Sequence, residues 1–183
     1  MNPPQPTKTL KVDQLPVKIY NDADSLGKAA ALEARRIIQE AIDERKKANI
    51  ILATGNSQLN FLKSLRILED IEWSKVRVFH MDEYLGIDPK HPASFPLFLE
   101  QHFLRHVNEE RFFPIPGKPM DLEQACQEYT NLLKEYPADL VAMGWGENGH
   151  IAFNDPPFAE FNDPKRVKLI ELAEASRKQQ VNE

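Results

Sequence analysis

The sequence predicts an α/β fold built on a mainly parallel sheet, and three observations predict it. Apolar runs of strand length, at residues 49–53 (NIILA), 76–80 (VRVFH) and 139–143 (DLVAM), alternate with segments of helical periodicity. Each run passes directly into a polar loop, and runs with little alternation suit strands buried on both faces, as parallel strands are. Finally, 183 residues, 42% of them hydrophobic, suffice to bury about 70% of the unfolded surface in one core.

Residues 1–16, with Pro3, Pro4, Pro6 and Pro16, lack periodicity and read as a flexible N-terminal arm, leaving 17–183 as a single α/β domain. A short strand is predicted at 17–20. From Asp22 onward, Leu26, Ala29, Ala30, Ile37, Ile38, Ala41 and Ile42 fall on one helical face, so a long amphipathic helix capped by Asp or Ser is expected. Strand 49–53 leads through TGNSQ into a helix at 59–68. Strand 76–80 leads into a polar loop from Met81, after which Ser94 and Pro96 open a helix running to about residue 107. A further helix at 121–134 precedes a third buried strand at 139–143, and 166–170 reads as one more strand before a charged tail. In such sheets ligands bind beyond the carboxyl ends of the strands, so the loops starting at Thr54, Met81 and Gly144 should converge.

Composition excludes several function classes. Lys and Arg number 23 against 28 Asp and Glu, and the net charge of −5 argues against nucleic acid as the main partner. No apolar run approaches the 18 or so residues of a membrane span. The start MNPPQPTKTLKVDQLP has no signal-peptide character and the single Cys126 can form no internal disulfide, so a cytoplasmic protein with a small-molecule site is expected.

Each polar loop has a chemical and a bland reading. Backbone N–H groups and hydroxyls of Thr54, Gly55, Asn56 and Ser57 could hold a phosphate, although Lys63 lacks the GK[ST] context of a P-loop; equally, Asn56 or Ser57 could simply cap a turn. Asp82 and Glu83 put adjacent carboxylates at a strand end, where a half-buried acid can carry protons or a solvated loop can carry charge. Residues 144–149 (GWGENG) spell GxGxxG, but Pro156 and Pro157 forbid the helix that a dinucleotide fingerprint opens. That loop instead presents His150, flanked by Asn148 and Asp155, as a general acid/base or as a structural histidine. His102 and His106 have a metal-compatible i, i+4 spacing but no third ligand, so packing roles are expected for both. Cys126, without an activating neighbour, is expected to be inert.

Taken together, TGNSQ after NIILA, VRVFHMDEYLGIDPKHPASF and DLVAMGWGENGHIAFNDPP resemble the glucosamine-6-phosphate deaminase/isomerase family, relatives of 6-phosphogluconolactonase, over residues 17–170. MDEY and GHIAFN resemble the deaminase branch. The resemblance implies a modified Rossmann-like sheet flanked by helices, no organic or metal cofactor, and a sugar phosphate as partner, and it leaves open a homo-oligomer. It implies conversion of glucosamine 6-phosphate to fructose 6-phosphate and ammonia, with 6-phosphogluconolactone hydrolysis and non-catalytic sugar-phosphate binding as alternatives. By the same resemblance His150 shuttles a proton between O1 and ring O5, Asp82 carries a proton from C2 to C1, and Asn148 and Asp155 orient His150. Thr54, Gly55, Asn56 and Ser57 match the phosphate loop, and Glu83 and Gly149 are expected to touch substrate. Asp155 is one methylene shorter than the glutamate more usual there, so its contact with His150 depends on where the backbone runs. The family's phosphate-binding arginine has no clear counterpart: Arg177 falls early and Asn182 occupies the matching place. The resemblance also implies that the family's closing strand–helix units lie beyond Glu183.

Overall fold

The computed structural model describes residues 3–107, 111–146, 148–156, 158–174 and 176–178. Residues expected in the N-terminal arm contribute a strand: β1 (Lys8–Val12) and β2 (Leu15–Ile19) form an antiparallel hairpin with Lys8 opposite Ile19 and Val12 opposite Leu15. Asp13 makes the tight reversal at a positive φ of 51°, a conformation that Asp tolerates better than most side chains. Local pairing across this turn forms a strand where periodicity was too short to reveal one.

α1 (Ala23–Arg45) begins at Asp22, whose carboxylate accepts the Ser25 N–H at 2.6 Å, and ends at Lys46 in the left-handed conformation. Its buried face, Ala31, Ala34, Ile38, Ala41 and Ile42, packs on the sheet. Gly27 on the same helix has no room for a side chain, since a Cβ there would sit 2.7 Å from the Asn60 backbone, so α1 meets α2 (Leu59–Leu65) at backbone distance.

The main sheet has the order β5-β4-β3-β6 and all its pairs are parallel. β3 (Ala48–Leu52) lies between β4 (Val76–His80) and β6 (Leu140–Ala142), and β5 (Phe112–Phe113) flanks β4. β3 and β4 are buried along most of their length, as their apolar runs require. β6 is not the buried strand expected at 139–143: it forms an edge among the described residues, and Val141 is 41% exposed. No strand forms at 166–170 either. Among the described residues neither segment is flanked by strands on both sides, and periodicity cannot supply one.

The helix expected from Ser94 to residue 107 is interrupted. α3 (Phe95–Leu99) passes through a π-helical turn (Glu100–Leu104) into α4 (Arg105–Val107). That turn breaks the regular spacing on which pairing of His102 with His106 would depend. The His102 ring stacks at a tilt on Phe98, centroids 4.5 Å apart, while His106 Nε2 lies 3.3 Å from the Gln101 carbonyl. Phe103 buries itself in the core, edge-on to Trp73 at 5.2 Å. α5 (Leu122–Glu135) is capped by Asp121, which accepts the Gln124 N–H at 2.9 Å, and carries the half-buried Cys126. No helix among the described residues is long and apolar enough to cross a membrane.

Candidate active site

The three polar loops meet. Residues 53–58 after β3, Met81 and Asp82 after β4, and Gly144, Trp145, Gly146, His150, Ala152 and Phe153 after β6 line one cleft, with Phe95 of α3 closing a side. Their convergence follows from topology, because parallel strands deliver all their carboxyl ends to one edge.

In the first loop Gly55 takes φ of 93°, a conformation open to glycine and strained for other residues. It turns the chain into a 3-10 turn at Asn56–Gln58, leaving Asn56 and Ser57 exposed and Thr54 half-buried. Gln58 is buried and donates from Nε2 to Ser57 Oγ at 3.0 Å, which orients that hydroxyl.

In the second loop Asp82 is half-buried and faces the cleft. Burial, reinforced by the negative charge of Glu83, pushes its carboxyl from an ordinary 3.8 up to about 7. Glu83 is not among the residues lining the cleft. Its oxygens accept from the Tyr84 N–H at 2.8 Å, the Ser94 hydroxyl at 3.0 Å and the Phe95 N–H at 3.2 Å. Ser94, the residue at the N-terminus of α3, makes no capping bond with its own side chain, so Glu83 supplies the acceptor in its place and ties the loop to the helix. Burial raises the Glu83 carboxyl while these three donors oppose the rise.

The third loop turns on a backbone bond from Gly149 N–H to the Gly146 carbonyl, and Gly146 N–H donates back to the His150 carbonyl, both at 2.9 Å. Gly149 takes φ of 83° and does not line the cleft. Gly146 is required for a different reason. Its Cβ would lie 2.0 Å from the His150 ring, so the imidazole occupies the space that any other residue at 146 would fill. His150 Nδ1 lies 2.6 Å from the Asn148 side-chain oxygen, an acceptor, which fixes the proton on Nδ1 and leaves Nε2 for proton exchange. Asp155 Oδ1 lies 3.3 Å from the same nitrogen. The contact that a shorter side chain put at risk is therefore made.

Asp155 has no exposed surface. Burial drives its carboxyl upward, but donors overcome the effect: Ser176 Oγ at 2.6 Å, Asn148 Nδ2 at 3.0 Å and Ala173 N–H at 2.9 Å, with His150 beyond them, hold it below the usual range. Ser176 and Ala173 are invisible to sequence reasoning, because no motif links them to a carboxylate 21 and 18 residues away. An aromatic cluster beside the cleft is equally hidden: Tyr84 packs with the cleft-lining Phe95 and Phe153 in a triangle with centroids 5.0, 5.3 and 5.7 Å apart, joining the second loop, α3 and the third loop. Trp145, 68% exposed, stands at the cleft between two glycines. Arg177 is exposed and not among the lining residues, and Asn182 lies outside the described residues.

A parallel sheet whose edge gathers a glycine turn, a carboxyl of raised pKa and a histidine held at Nδ1 defines an α/β protein with one polar cleft at the carboxyl ends of its strands. The chain belongs to the family of glucosamine-6-phosphate isomerases/6-phosphogluconolactonase, whose profile matches residues 21–179. It is 36% identical over 146 residues to glucosamine-6-phosphate deaminase 2 of Bacillus subtilis (strain 168), covering 76% of this chain and 57% of that protein. Among solved structures it is similar to a monomeric glucosamine-6-phosphate deaminase at a TM-score of 0.78 and 27% identity, over 86% of this chain and 65% of that one. A 6-phosphogluconolactonase from Shewanella baltica OS155 follows at a TM-score of 0.64 and 25% identity, over 72% and 57% of the two chains. The chain thus spans less than two thirds of the length of each of these relatives.

Proposed function

We propose that the site acts on glucosamine 6-phosphate, converting it with water to fructose 6-phosphate and ammonia. His150 opens the ring, its Nε2 moving a proton between the O1 hydroxyl and ring O5, while Asn148 and Asp155 hold the imidazole in the required tautomer. Asp82 then takes the proton from C2 and returns it to C1, leaving a ketose imine that water hydrolyses to the ketone and ammonia. A carboxyl with a pKa of about 7 is suited to both halves of that transfer, because it accepts and gives up a proton with little bias near neutral pH. Thr54, Gly55, Asn56 and Ser57 receive the phosphate. Glu83 serves the reaction by fastening the Asp82 loop and by its charge, and Gly149 by shaping the turn that presents His150.

The observation that carries this reading is that Asp82, its carboxyl raised to about 7, and His150, its Nδ1 2.6 Å from the Asn148 side-chain oxygen, line the same cleft. Its support from outside the site is the glucosamine-6-phosphate deaminase similarity at 36% identity. A coupled assay for ammonia and fructose 6-phosphate tests it. Turnover of 6-phosphogluconolactone, with no ammonia released from glucosamine 6-phosphate, would replace it with lactone hydrolysis. A second reading draws on the absence of lysine and arginine from the described residues lining the cleft: the chain binds a hexose phosphate without turnover. Calorimetry showing saturable binding with no ammonia formed would favour that reading.

A further inference from the structure

His80 ends β4, two residues before Asp82, and is 2% exposed. A histidine so placed is costly unless its ring nitrogens are accounted for. Nε2 accepts a hydrogen bond from the backbone N–H of Ile115 at 2.7 Å. An accepting nitrogen carries no proton, so the neutral ring has its proton on Nδ1. Nδ1 is buried and has no hydrogen-bond partner among the described residues, so the bond from Ile115 is what fixes the ring.

The groups around the ring add no competing charge. Phe112 of β5 lies at a tilt with centroids 5.5 Å apart. Tyr129 of α5 places its hydroxyl 3.5 Å from the His80 carbonyl and 2.9 Å from that of Phe113, and burial raises its pKa, so it stays a donor. Burial lowers the His80 pKa to about 4 with only the Asp82 backbone opposing it. The ring is therefore neutral wherever the site would work.

We infer that His80 is a positioning residue for Asp82, holding the start of the 81–84 loop as a neutral imidazole whose Nε2 is committed to the Ile115 N–H. The inference rests on the proton-carrying role proposed for Asp82. Glu83 ties the loop to α3, and His80 ties its entry to the segment after β5. That segment also reaches the loop's far end, where Gly86 N–H donates to the Gly117 carbonyl at 2.7 Å. Protonation of Nε2 would set two donors face to face and release the entry.

Two measurements test this. Nitrogen-15 NMR of the histidine-labelled chain should show His80 with a protonated Nδ1 and a bare Nε2 from about pH 8 to about pH 5, and a proton on Nε2 in that range would overturn the inference. His80→Leu, which removes both nitrogens, should lower kcat roughly 10- to 100-fold, with KM within about twofold and the Asp82 limb of the pH–rate profile displaced. His80→Gln, which keeps an amide near Nε2, should recover most of the loss. An unmoved limb with kcat and the unfolding midpoint falling together would overturn the inference and leave the proposed reaction standing. Absence of ammonia release from the unsubstituted chain would instead remove the proposed reaction. In that case the Asp82 carboxyl is followed by carbon-13 NMR with and without His80→Leu: a displaced titration supports the positioning role and an identical one overturns it.

Discussion

Asp82 and Asp155 belong to the same candidate site, the first half-buried and the second without exposed surface, yet their carboxyls are shifted in opposite directions. Burial raises both. Asp82 meets that burial with a like charge, Glu83, beside it, and rises to about 7. Asp155 meets it with donors from Ser176, Asn148 and Ala173 and with His150, and ends below the usual range. The donors, more than the depth, decide which carboxyl trades protons and which remains an anion that orients a histidine. The loops differ accordingly: Asp82 is fastened through its neighbours, whereas Asp155 is itself the fastening.

The largest effect should come from removing the proton carrier. Asp82→Asn should lower ammonia release about 10²–10⁴-fold while leaving hexose-phosphate binding measurable, and unchanged turnover in the coupled assay would sink its role. The same substitution tests the sign of the shift. A carboxyl whose pKa rises on folding, here from 3.8 to about 7, contributes stability that is complete below its unfolded value and lost as pH climbs through its folded one. The stability difference between the unsubstituted chain and Asp82→Asn, followed by denaturant unfolding, should therefore decline between those two values. Asp155 has the opposite sign, its contribution being lost as pH falls through its lowered pKa.

Asp155→Ala should cost about 3 kcal/mol of unfolding free energy, because it strands the Ser176, Ala173 and Asn148 donors in a buried place. Denaturant titration measures it, and a loss near zero would mean that those donors find water. Gly146→Ala should push the His150 ring from its place and lower kcat about 100-fold, since misplacement by an ångström can cost that much. Ser176→Ala is milder, about 1 kcal/mol, and should raise the Asp155 carboxyl toward Asp82's behaviour, as carbon-13 NMR would record. The smallest effect belongs to Glu83→Gln: with the like charge gone, the Asp82 limb of the pH profile should move to lower pH. A limb that stays put would leave burial as the sole cause of the Asp82 shift.

The sequence made the three loops legible because each follows an apolar strand and carries its chemistry within a few residues. Asp82, His150, Asn148 and Thr54 through Ser57 could be picked out that way, and the structure gathers them at one sheet edge. Contacts between distant segments were not legible. Nothing in the pattern around Ser176 or Ala173 announces a carboxylate partner, and nothing at Glu83 says that its oxygens turn toward α3 and away from the cleft. The same limit governs the fold. β3 and β4 were readable as buried strands, whereas β1 depended on a hairpin partner, and the exposure of β6 depends on what lies beside it.

Trp145 and Trp73, the chain's two tryptophans, sit in contrasting surroundings: one open to water at the cleft, the other packed edge-on against Phe103. The protein thereby carries its own optical gauge. Emission from the solvated indole should change when a ligand enters the cleft while that from the packed one stays constant, so Trp73→Phe would leave a single fluorophore reporting occupancy without any added label.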